Sequence, residues 1–212
     1  MERTGVDVLW ARHGENVANL TKTLSFRIFD GDLTDAGRQQ ARDLAERLTA
    51  SGGDRIGLLV CSPLRRARQT AGILGQRLGL PVAMELDDLR EVNVGDLDGR
   101  NDARAWDIYA RVLAAWRAGD ASARFPGGEN RDELCARLLR ALTAVASTAV
   151  VTGRSLVVAH GANLRAALPG LTGGGDPGAD LPTGGVAALQ VVPGALAGPS
   201  VRLANWPGAG PG

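Results

Sequence analysis

The sequence predicts an α/β fold: a three-layer α/β/α sandwich around a mostly parallel central sheet. Three observations carry this expectation. Short apolar runs of strand length alternate with longer stretches whose apolar residues recur at helical spacing. The chain has 212 residues, of which 44% are hydrophobic, enough for one ordinary core and cramped for two. No internal repeat divides it. The expectation is a single domain over residues 1–206, with helical cap material at roughly 100–130 and a disordered tail over Pro207–Gly212.

The first strand is Val6–Ala11, a compact apolar run. Residues 35–48 then read as an amphipathic helix, since Ala36, Ala41, Leu44, Ala45 and Leu48 recur at spacings of three to five. Ile56–Cys61 is a second, buried strand. Ser62 and Pro63 fit the N-cap and first position of a helix that closes at Gly79, a good C-cap residue. A short strand at 81–86 follows. Helices are expected at about 102–118 and 131–150, separated by the loop Phe125–Glu129, with Asn130 and Glu133 placed as a capping box. Ser155–Ala159 is the most apolar strand and leads straight into His160-Gly161. A helix over 162–168, a Gly/Pro-rich loop over 169–185 and closing strands at 186–192 and 201–205 complete the chain.

Composition narrows the function. Twenty-four basic against 23 acidic residues leave a net charge of +1, and aromatic content is 4%, which argues against a nucleic-acid or membrane-surface protein. Within that balance, 23 of the 24 basic residues are arginine and only Lys22 is lysine. Codon bias explains most of this. A planar guanidinium is also well shaped for phosphate or carboxylate. No apolar stretch is long enough to cross a membrane, and the N-terminus lacks the pattern of a secretory signal, so a cytoplasmic location is expected. Cys61 and Cys135 sit alone in apolar runs and read as small buried hydrophobes. Two histidines and two isolated cysteines do not make a spaced ligand set, so neither metal nor cofactor is expected.

Both histidines, His13 and His160, stand at or just past the end of an apolar strand and precede a glycine. Ligands of parallel α/β sheets bind beyond the carboxyl ends of strands, so both fall where that rule puts a site. The surrounding residues resemble the histidine phosphatase superfamily, in its phosphoglycerate mutase-like branch. Arg12-His13-Gly14-Glu15 with Asn19 matches the first block and Ser62–Ala71 the second-arginine block. Glu91 with Gly95 and Gly99 matches the acid block, and Val157–Gly161 the second-histidine block. The blocks occur in the family's order over about residues 6–168. Leu33–Gly37 and Pro126–Glu129 match weaker linking motifs.

The resemblance implies roles at the matching positions. His13 is the expected nucleophile, since a neutral imidazole can attack phosphorus without first losing a proton. Arg12, Arg66, Asn19, His160 and Gly161 are expected around the phosphate, and Glu91 is the expected proton donor and acceptor. Residue type alone leaves Arg65, Arg66 and Arg68 as competitors; the family spacing selects Arg66. Glu91 competes with an ordinary acidic loop containing Asp87, Asp88, Asp96 and Asp98. Glu15, Lys22 and Arg27 are candidates to face substrate, Glu129 is expected beside the site, and Arg165 is either a helper at the mouth or a solvated helix residue.

Two departures stand out: the acid block ends Asp98-Gly99 where relatives often have Glu-Gly, and Leu20–Asp32 lacks the usual pattern. Gly161, in place of an aspartate, separates the chain from the acid-phosphatase branch. Glu91 and His160 are only 69 positions apart, so the cap is compact and favours hydrolysis over a mutase that must exclude water. The expected activity is therefore hydrolysis of a small phosphorylated metabolite. A mutase and a non-catalytic phospho-ligand module are the alternatives. Many relatives dimerise, so a homodimer is a further expectation.

Overall fold

The computed structural model describes residues 5–51, 56–192 and 199–207. A six-stranded sheet is built from β1 (Val6–Arg12), β2 (Ile56–Cys61), β3 (Val82–Glu85), β4 (Arg154–Ala159), β5 (Val186–Val192) and β6 (Ser200–Asn205). Its order is β3-β2-β4-β1-β5-β6. β1 to β4 run parallel, while β5 pairs antiparallel with β1, and β6 antiparallel with β5. The sheet is mostly parallel, as expected.

Among the described residues six α-helices cover it: α1 (Val17–Thr21), α2 (Asp35–Ala50), α3 (Arg65–Leu78), α4 (Ala103–Arg117), α5 (Arg131–Thr152) and α6 (Gly161–Thr172). Strand residues alternate between two apolar clusters. Leu58, Val60, Val157 and Ala159 face the cluster that takes Leu134, Leu138 and Leu142 of α5 and Leu164 of α6. Leu59, Cys61, Leu156 and Val158 face the cluster of Leu44 on α2 and Leu74 on α3. Burial on both faces is why these strands read as unbroken apolar runs.

Three boundaries differ from expectation. α3 begins at Arg65 behind Leu64, which gives no side-chain cap. The hydroxyl of Ser62 instead meets Nε2 of His160 at 2.9 Å. α6 runs through Pro169 to Thr172 and closes on Gly173, at φ 68°. Its apolar face, with Leu168 buried and Leu171 packed against the core, outweighs the one hydrogen bond that proline removes. α1, not anticipated, is a single turn held by a reciprocal capping box between Asn16 and Asn19. The capping box of Asn130 and Glu133 on α5, and the left-handed Gly79 after α3, are as expected. Of the tail, only Pro207 falls among the described residues. Cys61 is buried and Cys135 partly so.

Candidate active site

Parallel pairing brings the carboxyl ends of β1, β2 and β4 side by side, and the ladder continues one step past each strand. The N–H of His13 donates to the carbonyl of Ala159 at 3.0 Å, and that of Ser62 to Val158 at 2.9 Å. His13, Ser62 and His160 therefore converge although they are far apart in sequence. The two imidazoles meet edge to face, with ring centroids 5.2 Å apart.

The glycines after the histidines make room for neighbouring parts of the chain. A Cβ on Gly14 would lie 2.2 Å from the carbonyl oxygen of Gly37, so Gly14 lets the start of α2 approach the His13 loop. A Cβ on Gly161 would lie 2.8 Å from Cδ of Arg12, so the missing side chain makes room for that arginine.

His13 is buried, at 3% exposure. Its Nδ1 is 2.7 Å from the carbonyl oxygen of Gly14, an acceptor only, so Nδ1 carries the proton. That leaves a lone pair on Nε2, which accepts a hydrogen bond from Nε of Arg66 at 3.0 Å. Burial, followed by the charges of Arg66 and Arg12, lowers the pKa of His13 well below 6.5, and the Gly14 bond only partly opposes this. The ring is neutral at pH 7. His160 is also neutral: burial first, then Arg66, His13, Arg137 and Arg12, push it well below 6.5. With Nε2 engaged by Ser62, its buried Nδ1 has no hydrogen-bond partner.

Arg66 is 2% exposed, whereas the side chains of Arg65 and Arg68 are 60% and 58% exposed and pair with Asp32 and Glu85. Besides His13, its guanidinium donates to the hydroxyl and carbonyl of Ser25, both at 2.9 Å. Ser25 belongs to the segment that departs from the family pattern. Asp98, the other departure, anchors that segment by accepting from the backbone N–H groups of Phe26, Arg27 and Ile28 at 2.8, 2.8 and 2.6 Å. The two departures fit one another.

Glu91 lies in no strand or helix and is held by its surroundings. Its Oε1 accepts from the N–H of Val92 at 2.9 Å and from that of Asn163, in the first turn of α6, at 2.7 Å. Asn163 is fully buried and its amide donates to the carbonyls of Leu89 and Arg90. Arg137 of α5 spends all its donors on the same loop: on the carbonyls of Asp88, Arg90 and Glu91, and on both oxygens of Glu129 at 2.7 and 2.8 Å. Glu129, buried at 6%, also accepts from the N–H of Asn93. It therefore positions the acid loop and does not face a ligand.

A chamber of about 140 Å³ is lined by Arg12, His13, Asn16, Asn19, Ser25, Arg66 and Glu91, among others. Next to it lies a larger cavity of about 380 Å³, which shares Arg12, Glu91, Trp106, Tyr109 and Ala162 with the chamber and also takes Gly161 and Arg165. His160 lines neither and packs against His13. Glu15, Lys22 and Arg27 line neither as well. The Glu15 carboxylate accepts from the Thr34 hydroxyl, while Lys22 is exposed in the left-handed region at φ 52°, and Arg27 is exposed. Arg165 is tied to Asp176 and Asp180.

Sequence reasoning missed Asn16, a buried residue whose Nδ2 lacks a partner, together with Ser62, Ser25, Asn163 and Arg137. Asn16 lies within the first block, three residues from His13, and that proximity is the signal that could have found it. Burial pushes the thiols of Cys61 and Cys135 up to about 12 and about 11, so neither is a nucleophile at neutral pH. Among the described residues, no group of three or more His, Cys, Asp or Glu could hold a metal ion, and no helix is long and apolar enough to cross a membrane.

Two strand-end histidines flanked by Arg12 and Arg66 suit phosphate chemistry, and residues 8–206 match the profile of the histidine phosphatase superfamily, branch 1. The chain belongs to the histidine phosphatase superfamily. Within that superfamily it is 39% identical to a 2,3-bisphosphoglycerate-dependent phosphoglycerate mutase of Methylobacterium sp. (strain 4-46), over 82% of this chain and 86% of the relative. It is 35% identical to a glucosyl-3-phosphoglycerate phosphatase of Mycolicibacterium vanbaalenii, over 76% and 72%. Its fold superposes on the native structure of a mycobacterial glucosyl-3-phosphoglycerate phosphatase with a TM-score of 0.76 at 27% identity, covering 95% of this chain and 98% of that one. The superfamily's relatives thus include both phosphatases and mutases.

Proposed function

We propose that this histidine phosphatase superfamily member hydrolyses a phosphomonoester of a small soluble metabolite in the cytoplasm, without a bound metal, through a phosphohistidine on His13. The observation that carries the reading is the tautomer of His13. Its proton is fixed on Nδ1 by Gly14, and the unprotonated Nε2 is turned to the chamber, where it accepts a hydrogen bond from the Arg66 guanidinium that an incoming phosphate would take over.

In the first step Nε2 forms a bond to phosphorus, and the bond from phosphorus to the leaving oxygen breaks. Glu91 gives that oxygen a proton, so an alcohol departs. In the second step Glu91 takes a proton from water, whose oxygen attacks phosphorus. The N–P bond breaks, and His13 and inorganic phosphate are released. Arg12 and Arg66 stabilise the charge on the equatorial oxygens throughout, because fixed cationic donors supply most of the catalysis in phosphoryl transfer. The unpartnered Nδ2 of Asn16, which lines the chamber, is a buried donor that a phosphate oxygen would satisfy, while His160 stands outside the chamber and backs the His13 ring. Asn19, whose side-chain oxygen is spent on capping α1, would contribute through its Nδ2.

The test is hydrolysis of p-nitrophenyl phosphate and a panel of phosphorylated metabolites in EDTA, with His13→Ala alongside. Wild-type turnover, its loss in the variant, and a phosphorylated peptide containing His13 after rapid quenching are the expected results. Equal rates for the two proteins would remove His13 as nucleophile, and loss of wild-type turnover in EDTA would remove metal independence.

A second reading, phosphoryl transfer of the mutase type, is favoured by the 39% identity to a phosphoglycerate mutase. Isomerisation of 3-phosphoglycerate with little phosphate release would establish it. Stoichiometric binding of a phosphate analogue with no turnover of any substrate would instead indicate a non-catalytic module.

A further inference from the structure

The phosphoryl chemistry uses the smaller chamber and leaves the larger cavity beside it unexplained. At about 380 Å³ the cavity holds the volume of about a dozen waters, far more than a leaving group of two or three carbons would displace. It adjoins the chamber at Glu91, the residue assigned to protonate the departing oxygen.

One wall is aromatic and rigid. Trp106 meets Tyr109 edge to face at 5.3 Å, Tyr109 stacks on Phe125 at 5.6 Å, and Phe125 meets Trp116 at 5.4 Å. The indole N–H groups of Trp106 and Trp116 are spent on the carbonyls of Lys22 and Ala123. What the two tryptophans have left to offer a ligand is ring surface. The Tyr109 hydroxyl, kept protonated by burial, has no hydrogen-bond partner among the described residues.

The charges lining the cavity are unevenly matched. Arg165 binds both Asp176 and Asp180, so that trio keeps one excess negative charge, and Arg12 serves the chamber. Arg117 and Arg131 have no carboxylate partner among the described residues. Arg117 feels Asp176 only through space, and Arg165 already binds that carboxylate. Arg131 gives one N–H to the Trp116 carbonyl, and its buried Nε is unpartnered. Arg117 ends α4, about 17 Å along the helix from Trp106, which lines the chamber. Two guanidiniums without a bound carboxylate, which outnumber the one excess acid of the Arg165 group, thus lie at the end of the cavity away from His13, with the aromatic wall between.

We propose that this cavity receives the leaving group of the substrate, a ring-bearing alcohol that carries a second anionic group, and that Trp106, Tyr109, Arg117 and Arg131 set this specificity. The proposal rests on the phosphatase reading and names its substrate class.

Binding of three non-hydrolysable phosphonates, measured by calorimetry, tests it: ethylphosphonate, 3-phenylpropylphosphonate and 3-(4-carboxyphenyl)propylphosphonate. The phenyl ring is expected to tighten binding by about tenfold or more, and the carboxylate by a further factor of about five to ten. Trp106→Ala reduces the gain from the ring. The double variant Arg117→Gln/Arg131→Gln abolishes the gain from the carboxylate and keeps the gain from the ring, which a merely misfolded cap would not do. Equal affinities along the series, in a protein that hydrolyses p-nitrophenyl phosphate, would overturn the substrate class and leave the activity standing. A carboxylate gain that survives in the double variant would overturn the role of the two arginines. The full ladder of affinities without any hydrolysis would uphold the cavity's chemistry and remove the phosphatase reading. A bisphosphonate of the same length separates a distal phosphate from a carboxylate.

Discussion

Acidification from pH 7 to 5.5 acts on this fold through two residues. The chain has only two histidines, both buried in the site and both held well below their ordinary pKa. In the unfolded chain each titrates near 6.5. The folded protein therefore binds fewer protons than the unfolded one as pH falls below 6.5, and stability declines with it. The contribution is fully present above 6.5 and is lost on the way down to the folded pKa. With both rings still neutral in the fold at pH 5.5, each costs about 1 kcal/mol relative to pH 7, or about 2 to 3 kcal/mol for the pair. Carboxylates held low by hydrogen bonds, such as Asp102 at about 2, contribute in the opposite range. Their stabilisation is lost only below the ordinary carboxylate pKa of about 4, outside this window. Urea unfolding at pH 7.0, 6.25 and 5.5 reads the slope directly. His13→Asn or His160→Gln removes about half of it, and the double variant is flat. A wild type whose stability is constant over this range, or a double variant that keeps the slope, would refute the assignment of neutral buried rings. The same shift places the acid limb of kcat/KM for the nucleophile below pH 6.5.

Four further outcomes follow from the packing. Glu129→Gln leaves Arg137 with an uncompensated buried charge and is expected to cost about 3–5 kcal/mol; unfolding by urea measures this, and kcat falls as the Glu91 loop loosens. Asp98→Asn weakens three charge-assisted backbone bonds, costing about 1–3 kcal/mol, and loosens Ser25 from Arg66, so vanadate affinity and kcat/KM drop together. Gly72→Ala on α3, where an added Cβ meets nothing within 4 Å, stabilises by up to about 1 kcal/mol. Gly37→Ala, whose Cβ would lie 1.9 Å from the Glu15 carbonyl oxygen, prevents proper folding; melting temperatures of the two variants compare them.

Much of the fold was legible because it is periodic. Leu44 and Leu74 sit in helical stripes, and β2 and β4 are unbroken apolar runs, so burial is written into residue type. Local chemistry was readable too, as with Asn130, Glu133 and Gly79. The site was legible where a residue lies within a compact block: His13, Arg66 and Glu91 all reach the chamber. What escaped depends on contacts between distant segments. Ser62 reads as a helix cap because nothing nearby in sequence shows that His160, 98 positions on, competes for its hydroxyl. Arg137 looks like any surface arginine of an amphipathic helix until its guanidinium is seen to close over residues 88–91. Lys22 and Arg27 were candidates because the resemblance puts their segment near the mouth of the site, and that segment turns those side chains to solvent while offering Ser25 instead.

The aromatic wall also equips the protein with an optical reporter. Trp10, Trp116 and Trp206 are 0%, 2% and 2% exposed, whereas Trp106 is 37% exposed and borders both cavities. A soluble quencher such as acrylamide reaches Trp106 ahead of the other three. A ligand that covers it shifts the emission to shorter wavelength and protects it from the quencher. Site occupancy can thus be followed by intrinsic fluorescence, with no label attached and no turnover required.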